Sequence, residues 1–228
     1  KKYISTWQDS TFTRKNQALA VYLDKKFSNG LNGAALVSQH GHILYEKYRG
    51  FSNFEDSIKI KPDTRFQVAS VTKTLTAFAV MQLVSDAKLS LDLTVQDYYP
   101  KFPYKGVTLR SLLSHRSGLP YYEFLLDQRS FQEDELNNQT FMKWWESLSP
   151  TPPVRNKPDH YFSYNNTNFA ILAALVEKSS GLSFEEYVEQ NVFHKLNMQH
   201  SSFSSQFGQK ERPSDFTWGY EGKKRIEK

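Results

Sequence analysis

The chain has no cysteine. That excludes a disulfide scaffold, a thiol nucleophile and a cysteine-ligated zinc site, and leaves the compartment open. No apolar run approaches the roughly 20 residues that a spanning helix needs. No segment reads as a signal peptide, and a chain starting at Lys1 is consistent with processing or trimming. The formal charge is only +5 and is scattered, with no basic stripe interleaved with aromatics, so nucleic acid is not the expected partner. There is no internal repeat and no low-complexity tract. What is present is ample core material: 39% of the 228 residues are hydrophobic, with 17 Phe, 13 Tyr and 4 Trp, enough to bury a substantial core as one domain or a large part of one.

Apolar spacing predicts a helix over Asn16 to Phe27, stopped by Asn29-Gly30. Two strand-like runs follow, Ala34–Ser38 and Ile43–Tyr48, joined by Gln39-His40-Gly41-His42 as a hairpin. Val71 to Val84 is apolar and free of Gly and Pro, the pattern of a buried helix. Thr108–Ser114 reads as a short helix, Gln132–Ser147 as another, and Pro150, Pro152, Pro153 and Pro158 mark a loop. Asn168–Glu177 has the pattern of a second buried helix ending at Ser179-Ser180-Gly181, and Ser183–Asn191 that of a shorter amphipathic one. Nothing after Phe203 reads as three strands.

Chemistry concentrates at Ser70-Val71-Thr72-Lys73, after the strand-like run Phe66–Ala69. Residues three apart share a helix face, so Lys73 can reach the Ser70 hydroxyl and take its proton. A helix start also favours a developing oxyanion. The tetrapeptide alone is weak: 24 Ser and 20 Lys predict about two Ser-x-x-Lys strings by composition. The chain has two, the other being Ser85-Asp86-Ala87-Lys88 at the polar end of the apolar helix. A second constellation, Tyr164-x-Asn166, precedes the second buried helix. A phenol beside a lysine can shuttle a proton, and an amide two residues on can hydrogen-bond a substrate carbonyl. The bland alternative makes Tyr164 a half-buried aromatic and Asn166 a helix N-cap.

Taken together, four segments resemble the class C β-lactamase-like and penicillin-binding-protein-like serine hydrolases: Phe66–Thr74, Leu89-Ser90-Leu91-Asp92, Leu112–Pro120 and Phe162–Thr167. Leu196-Asn197-Met198 lies where that family tends to carry Leu-Gly-Met. The matches are collinear over roughly residues 30 to 203. The resemblance implies an α+β fold of the β-lactamase/transpeptidase type, an antiparallel sheet flanked by helices plus a mostly helical region. It implies Ser70 as nucleophile, Lys73 and Tyr164 sharing the acid and base roles, and Asn166 orienting the substrate. His115 falls in a segment used structurally behind the site. His40 and His42 sit at a hairpin tip without further ligands, and Asp92 is expected to fix a loop. No cofactor or metal is expected.

The family's late Lys-Thr-Gly or His-x-Gly strand has no counterpart. Lys178-Ser179-Ser180-Gly181 has an extra residue and reads as a helix stop. The late sheet strands are therefore expected to be missing, and the chain to be the N-terminal part of a longer polypeptide whose remainder is a further partner. Without that strand one oxyanion donor is lost, at about 3–4 kcal/mol of transition-state stabilisation. The expected activity is acyl transfer through a serine on a D-alanyl peptide, a β-lactam or a simple ester, an envelope peptidase or esterase being favoured over a dedicated β-lactamase. The alternative is a non-catalytic binding or scaffolding domain that keeps the fold. The resemblance implies a location in the periplasm or outside the cell.

Overall fold

A computed structural model describes residues 10–28, 32–126, 137–206, 215–221 and 224–226. The chain divides into two compact units, Lys1–Gln67 with His200–Lys228 and Val68–Gln199.

In the first unit, α1 (Ser10–Phe27) precedes the antiparallel hairpin of β1 (Gly33–Gln39) and β2 (His42–Arg49). The predicted helix stop Asn29-Gly30 lies outside the described residues. His40 (φ 51°) and Gly41 (φ 79°) form the two-residue turn, both in the left-handed region that a tight hairpin requires. Tyr45 ties β2 to α1: its ring stacks on Phe27 at 6.1 Å and its hydroxyl donates to Asp24 at 2.9 Å, which Lys47 also contacts. A second small ladder, β3 (Phe51–Asn53) with β4 (Ile58–Lys59), is held at its turn by Asn53 Oδ1, which accepts from the Glu55 and Asp56 amides.

After Phe203 the described residues hold short strand structure, without the three late strands of the family's sheet. Phe216 forms an isolated parallel bridge with Arg65, whose side chain pairs with Asp215 at 3.0 Å, and β5 (Gly219–Glu221) pairs with β6 (Lys224–Ile226). Three-residue strands are too short to show alternation, which is why period-2 reasoning passed over them and over β3 and β4.

The second unit is helical: α2 (Thr72–Ser85), α3 (Val95–Tyr98), α4 (Leu109–Leu113), α5 (Tyr122–Leu126), α6 (Asn138–Ser147), α7 (Asn166–Ser180) and α8 (Phe184–Val188). Of the predicted helix over 132–147, residues 132–136 lie outside the described set. α7 is the spine. Ile171 through Val176 are all buried, so it is enclosed on every side, against α2, α4, α6 and α8. The α2 helix meets it through Thr76, Ala79, Val80 and Leu83, spaced i, i+3, i+4, i+7. Its opposite face is not buried as the apolar run suggested: Val71, Phe78 and Met81 are 65%, 46% and 45% exposed. Within α6, Trp145 is fully buried in an edge-to-face aromatic cluster with Phe102, Tyr104, Phe141 and Trp144.

Helix ends follow their chemistry. Thr108 caps α4 and Ser183 caps α8 with the reciprocal Glu186 contact. Gly181 (φ 77°) stops α7 in the left-handed conformation, so Lys178–Gly181 is a helix end. Asn197 (φ 54°) takes the left-handed position where Leu-Gly-Met carries glycine, a conformation asparagine tolerates better than most residues.

Candidate active site

Ser70 sits in a one-turn 3-10 segment, Ala69–Val71, that leads directly into α2. The preceding run is not a strand: Val68 has φ −93° and ψ 2°, and Ala69 has φ 44°. A left-handed conformation at a residue with a Cβ costs about 1–2 kcal/mol, strain stored beside the serine. Ser70 is solvent-exposed. One turn on, Lys73 Nζ donates to Ser70 Oγ at 3.1 Å. From the far side, the Tyr164 hydroxyl donates to the same Oγ at 2.8 Å. The Lys73 amine also lies 5.0 Å from the Tyr164 ring centre and 5.8 Å from that of Phe169. Contact with Lys73, and then with the Ser70 hydroxyl, holds the Tyr164 phenol below its usual range.

Tyr164 lies in an irregular segment, so its position depends on neighbours. The segments around 116–120 and 155–165 run side by side: Arg116 Nη2 donates to Asp159 O, Arg155 N to Gly118 O, and Ser163 N to His115 O, at 2.8, 2.8 and 2.7 Å. Gly118 (φ 72°) permits this approach, because a Cβ there would stand 1.9 Å from Asn156 O. Asn165 completes the clamp. Its Oδ1 accepts from Thr167 N at 2.9 Å and caps α7, while its Nδ2 donates to Leu119 O at 2.8 Å. The N-cap is thus Asn165, not Asn166 as the bland reading had it.

His115 is buried under the tyrosine, its ring 4.6 Å from that of Tyr164. The Asn165 amide donates to its Nδ1 at 3.1 Å, and Asn168 Nδ2 lies 3.2 Å from the same atom. A nitrogen that accepts a backbone N–H carries no proton, so the imidazole is neutral with its hydrogen on Nε2. Burial, then the nearby Lys73 charge, hold its pKa below the usual value. It has no contact with Ser70 and acts through the segment it supports.

Asn166, expected to offer its amide to a substrate carbonyl, meets an acid with one of its two amide hydrogens. Its Nδ2 donates to Glu123 Oε1 at 2.7 Å. Glu123 escaped sequence reasoning, since a lone acid in Tyr121-Tyr122-Glu123 has no pattern that pairs it with residue 166. Asp92 accepts from Arg110 Nε and Nη2 at 3.0 and 2.8 Å, fixing the loop before α3. Among the described residues no three His, Asp or Glu side chains converge as a metal site would require, and no helix is long and apolar enough to cross a membrane.

Known proteins resemble the chain in sequence and in fold. The chain is 30% identical over 191 residues to penicillin-binding protein 4* of Bacillus subtilis, an alignment covering 83% of this chain and 42% of that protein. Its fold superposes on the crystal structure of a penicillin-binding protein from Bacillus halodurans with a TM-score of 0.71 and 32% identity, covering 88% of this chain and 59% of that one. A class C β-lactamase gives a TM-score of 0.70 at 22% identity, a likeness of fold, covering 97% and 58%. The chain thus spans roughly half the length of these relatives. Residues 19–226 match the Beta-lactamase family, and the chain belongs to it.

Proposed function

We propose that the chain hydrolyses an ester or amide through an acyl-serine at Ser70. The observation that carries this reading is the convergence of Lys73 Nζ and the Tyr164 hydroxyl on one exposed serine oxygen, at 3.1 and 2.8 Å. Attack by Oγ on a substrate carbonyl forms the C–Oγ bond, moves the carbonyl π electrons onto oxygen, and releases the serine proton to the Lys73–Tyr164 pair in the state where the pair lacks one proton, as phenolate or neutral amine. The pair passes that proton to the departing alcohol or amine as the C–O or C–N bond breaks. Water then attacks the acyl-serine, its proton travels by the same pair, and Ser70 regains its hydrogen. A phenol with a lowered pKa suits both halves, because it exchanges protons nearer neutral pH. An envelope peptide or ester is the favoured substrate, given relatives named for binding penicillin.

Intact mass after exposure to a fluorophosphonate, and separately to a penicillin, tests the reading beside Ser70→Ala. One adduct per chain, absent in the variant, is the expected result. A folded protein that takes up neither probe would overturn it and favour a binding role.

A further inference from the structure

The pairing of Asn166 with Glu123 bears on which substrate the proposed acyl-serine chemistry serves, and the inference rests on that reading. A carboxylate oxygen has no hydrogen to give, so the atom of Asn166 facing Glu123 at 2.7 Å must be its nitrogen. Glu123 therefore settles which way the amide points, and the carbonyl oxygen is turned away from it. That Asn166 Oδ1 and the second carboxylate oxygen, Glu123 Oε2, are both enclosed and have no hydrogen-bond partner among the described residues. Enclosed acceptors without a donor are rare in folded proteins and call for a missing group. Both missing partners are donors.

The surroundings narrow the donor further. Glu123 lines a cavity of about 370 Å³ together with Tyr121 and Phe124, whose rings meet edge to face at 5.9 Å. A carboxylate beside aromatic rings suits an ammonium group. Among the described residues, Arg155 is a cation near Tyr121, over whose ring it lies at 4.4 Å, and it forms no ion pair with Glu123. Asn166 is two residues from Tyr164, whose hydroxyl touches the nucleophile. We propose that Glu123, by fixing Asn166 with its carbonyl oxygen unpaired, makes this a site for substrates carrying an amino group near the scissile carbonyl.

The test compares p-nitrophenyl esters of alanine and of isobutyric acid, which differ by an ammonium in place of a methyl. Corrected for spontaneous hydrolysis, the alanine ester is expected to be favoured at least tenfold in kcat/KM. In Glu123→Gln, with folding checked by circular dichroism, the ratio is expected to fall towards one. A purely structural glutamate would lower both rates together, and an unchanged ratio would overturn the proposal. A second measurement needs no turnover: alaninamide is expected to slow fluorophosphonate labelling of the unaltered protein at lower concentration than isobutyramide, and equal protection would overturn it. A chain that takes up no fluorophosphonate at all overturns the acyl-serine reading, and this inference with it. Labelling with no amino preference overturns this inference alone.

Discussion

The two sides of the serine are built in opposite ways. Lys73 reaches Ser70 because both lie on the same turn at the start of α2, a relation set by helix geometry and needing nothing from elsewhere. Tyr164 reaches the same oxygen across 94 residues, from a segment with no regular structure. Its position is held by His115, Asn165, Asn168 and the backbone around Gly118, most of them buried. One side is local and solvent-open. The other is a satisfied polar network, in which each group lost leaves a partner stranded. The lysine side should therefore fail chemically without affecting the fold, whereas the tyrosine side should fail through the fold.

The largest expected effect lies on the lysine side. Lys73→Met keeps an unbranched side chain, one atom shorter, and removes the donor to Ser70. It is expected to lower kcat/KM by about 10²–10⁴-fold, the usual worth of a positioned acid or base, with the thermal midpoint unchanged within a degree or two. It should also return the Tyr164 phenol towards its ordinary value, since Lys73 is the first cause of the lowering. Ultraviolet difference titration against Tyr164→Phe reads that shift. A large stability loss in Lys73→Met would erase the contrast between the two sides.

The tyrosine side is tested by Asn165→Ala, which touches neither substrate nor nucleophile. It removes the cap of α7 and the bond to Leu119 O, and leaves the Thr167 amide without an acceptor. The expected cost is about 2–3 kcal/mol, or roughly 4–12 °C in the thermal midpoint of a chain this size. Activity should fall by less than in Lys73→Met. If activity collapses while the midpoint stays, Asn165 belongs to the chemistry and the division of labour is wrong.

That asymmetry also explains which parts were legible in the sequence. The Ser70–Lys73 relation, the α2 and α7 helices and the first hairpin rest on short-range periodicity, and each can be read from a dozen residues. Asn165 as the cap of α7 was one position away from the expectation, because two adjacent asparagines offer the same signal and only the turn geometry chooses between them. Glu123 was invisible: its partner lies 43 residues away and the contact depends on how the starts of α5 and α7 pack. The left-handed Ala69 was unreadable too, since alanine carries no propensity for it and surrounding structure must impose it. The exposed face of α2 escaped for a simpler reason, that Phe78 and Met81 are apolar whether or not anything covers them.

The smallest effect separates the two sides by pH. His115 is neutral in the folded chain and its pKa is depressed, through burial first and the Lys73 charge second. The groups facing it are Lys73 from α2, Tyr164 and the Asn165 amide from the segment before α7, and Asn168 on α7 itself; none is a carboxylate that would stabilise the imidazolium. In the unfolded chain the same imidazole takes a proton near its ordinary 6.5. Between those two values the unfolded state binds more protons than the folded one, so stability rises with pH there. The contribution is complete above about 6.5 and is lost as pH falls from there through the depressed value. Midpoints recorded between pH 5 and 8 should therefore fall on the acid side, and more gently in His115→Asn, which has no titrating ring. Lys73→Met should also flatten the fall, by removing one of the two causes of the depression. A slope indifferent to both substitutions would mean that the acid sensitivity belongs to other groups, and that the imidazole supports Tyr164 through packing alone.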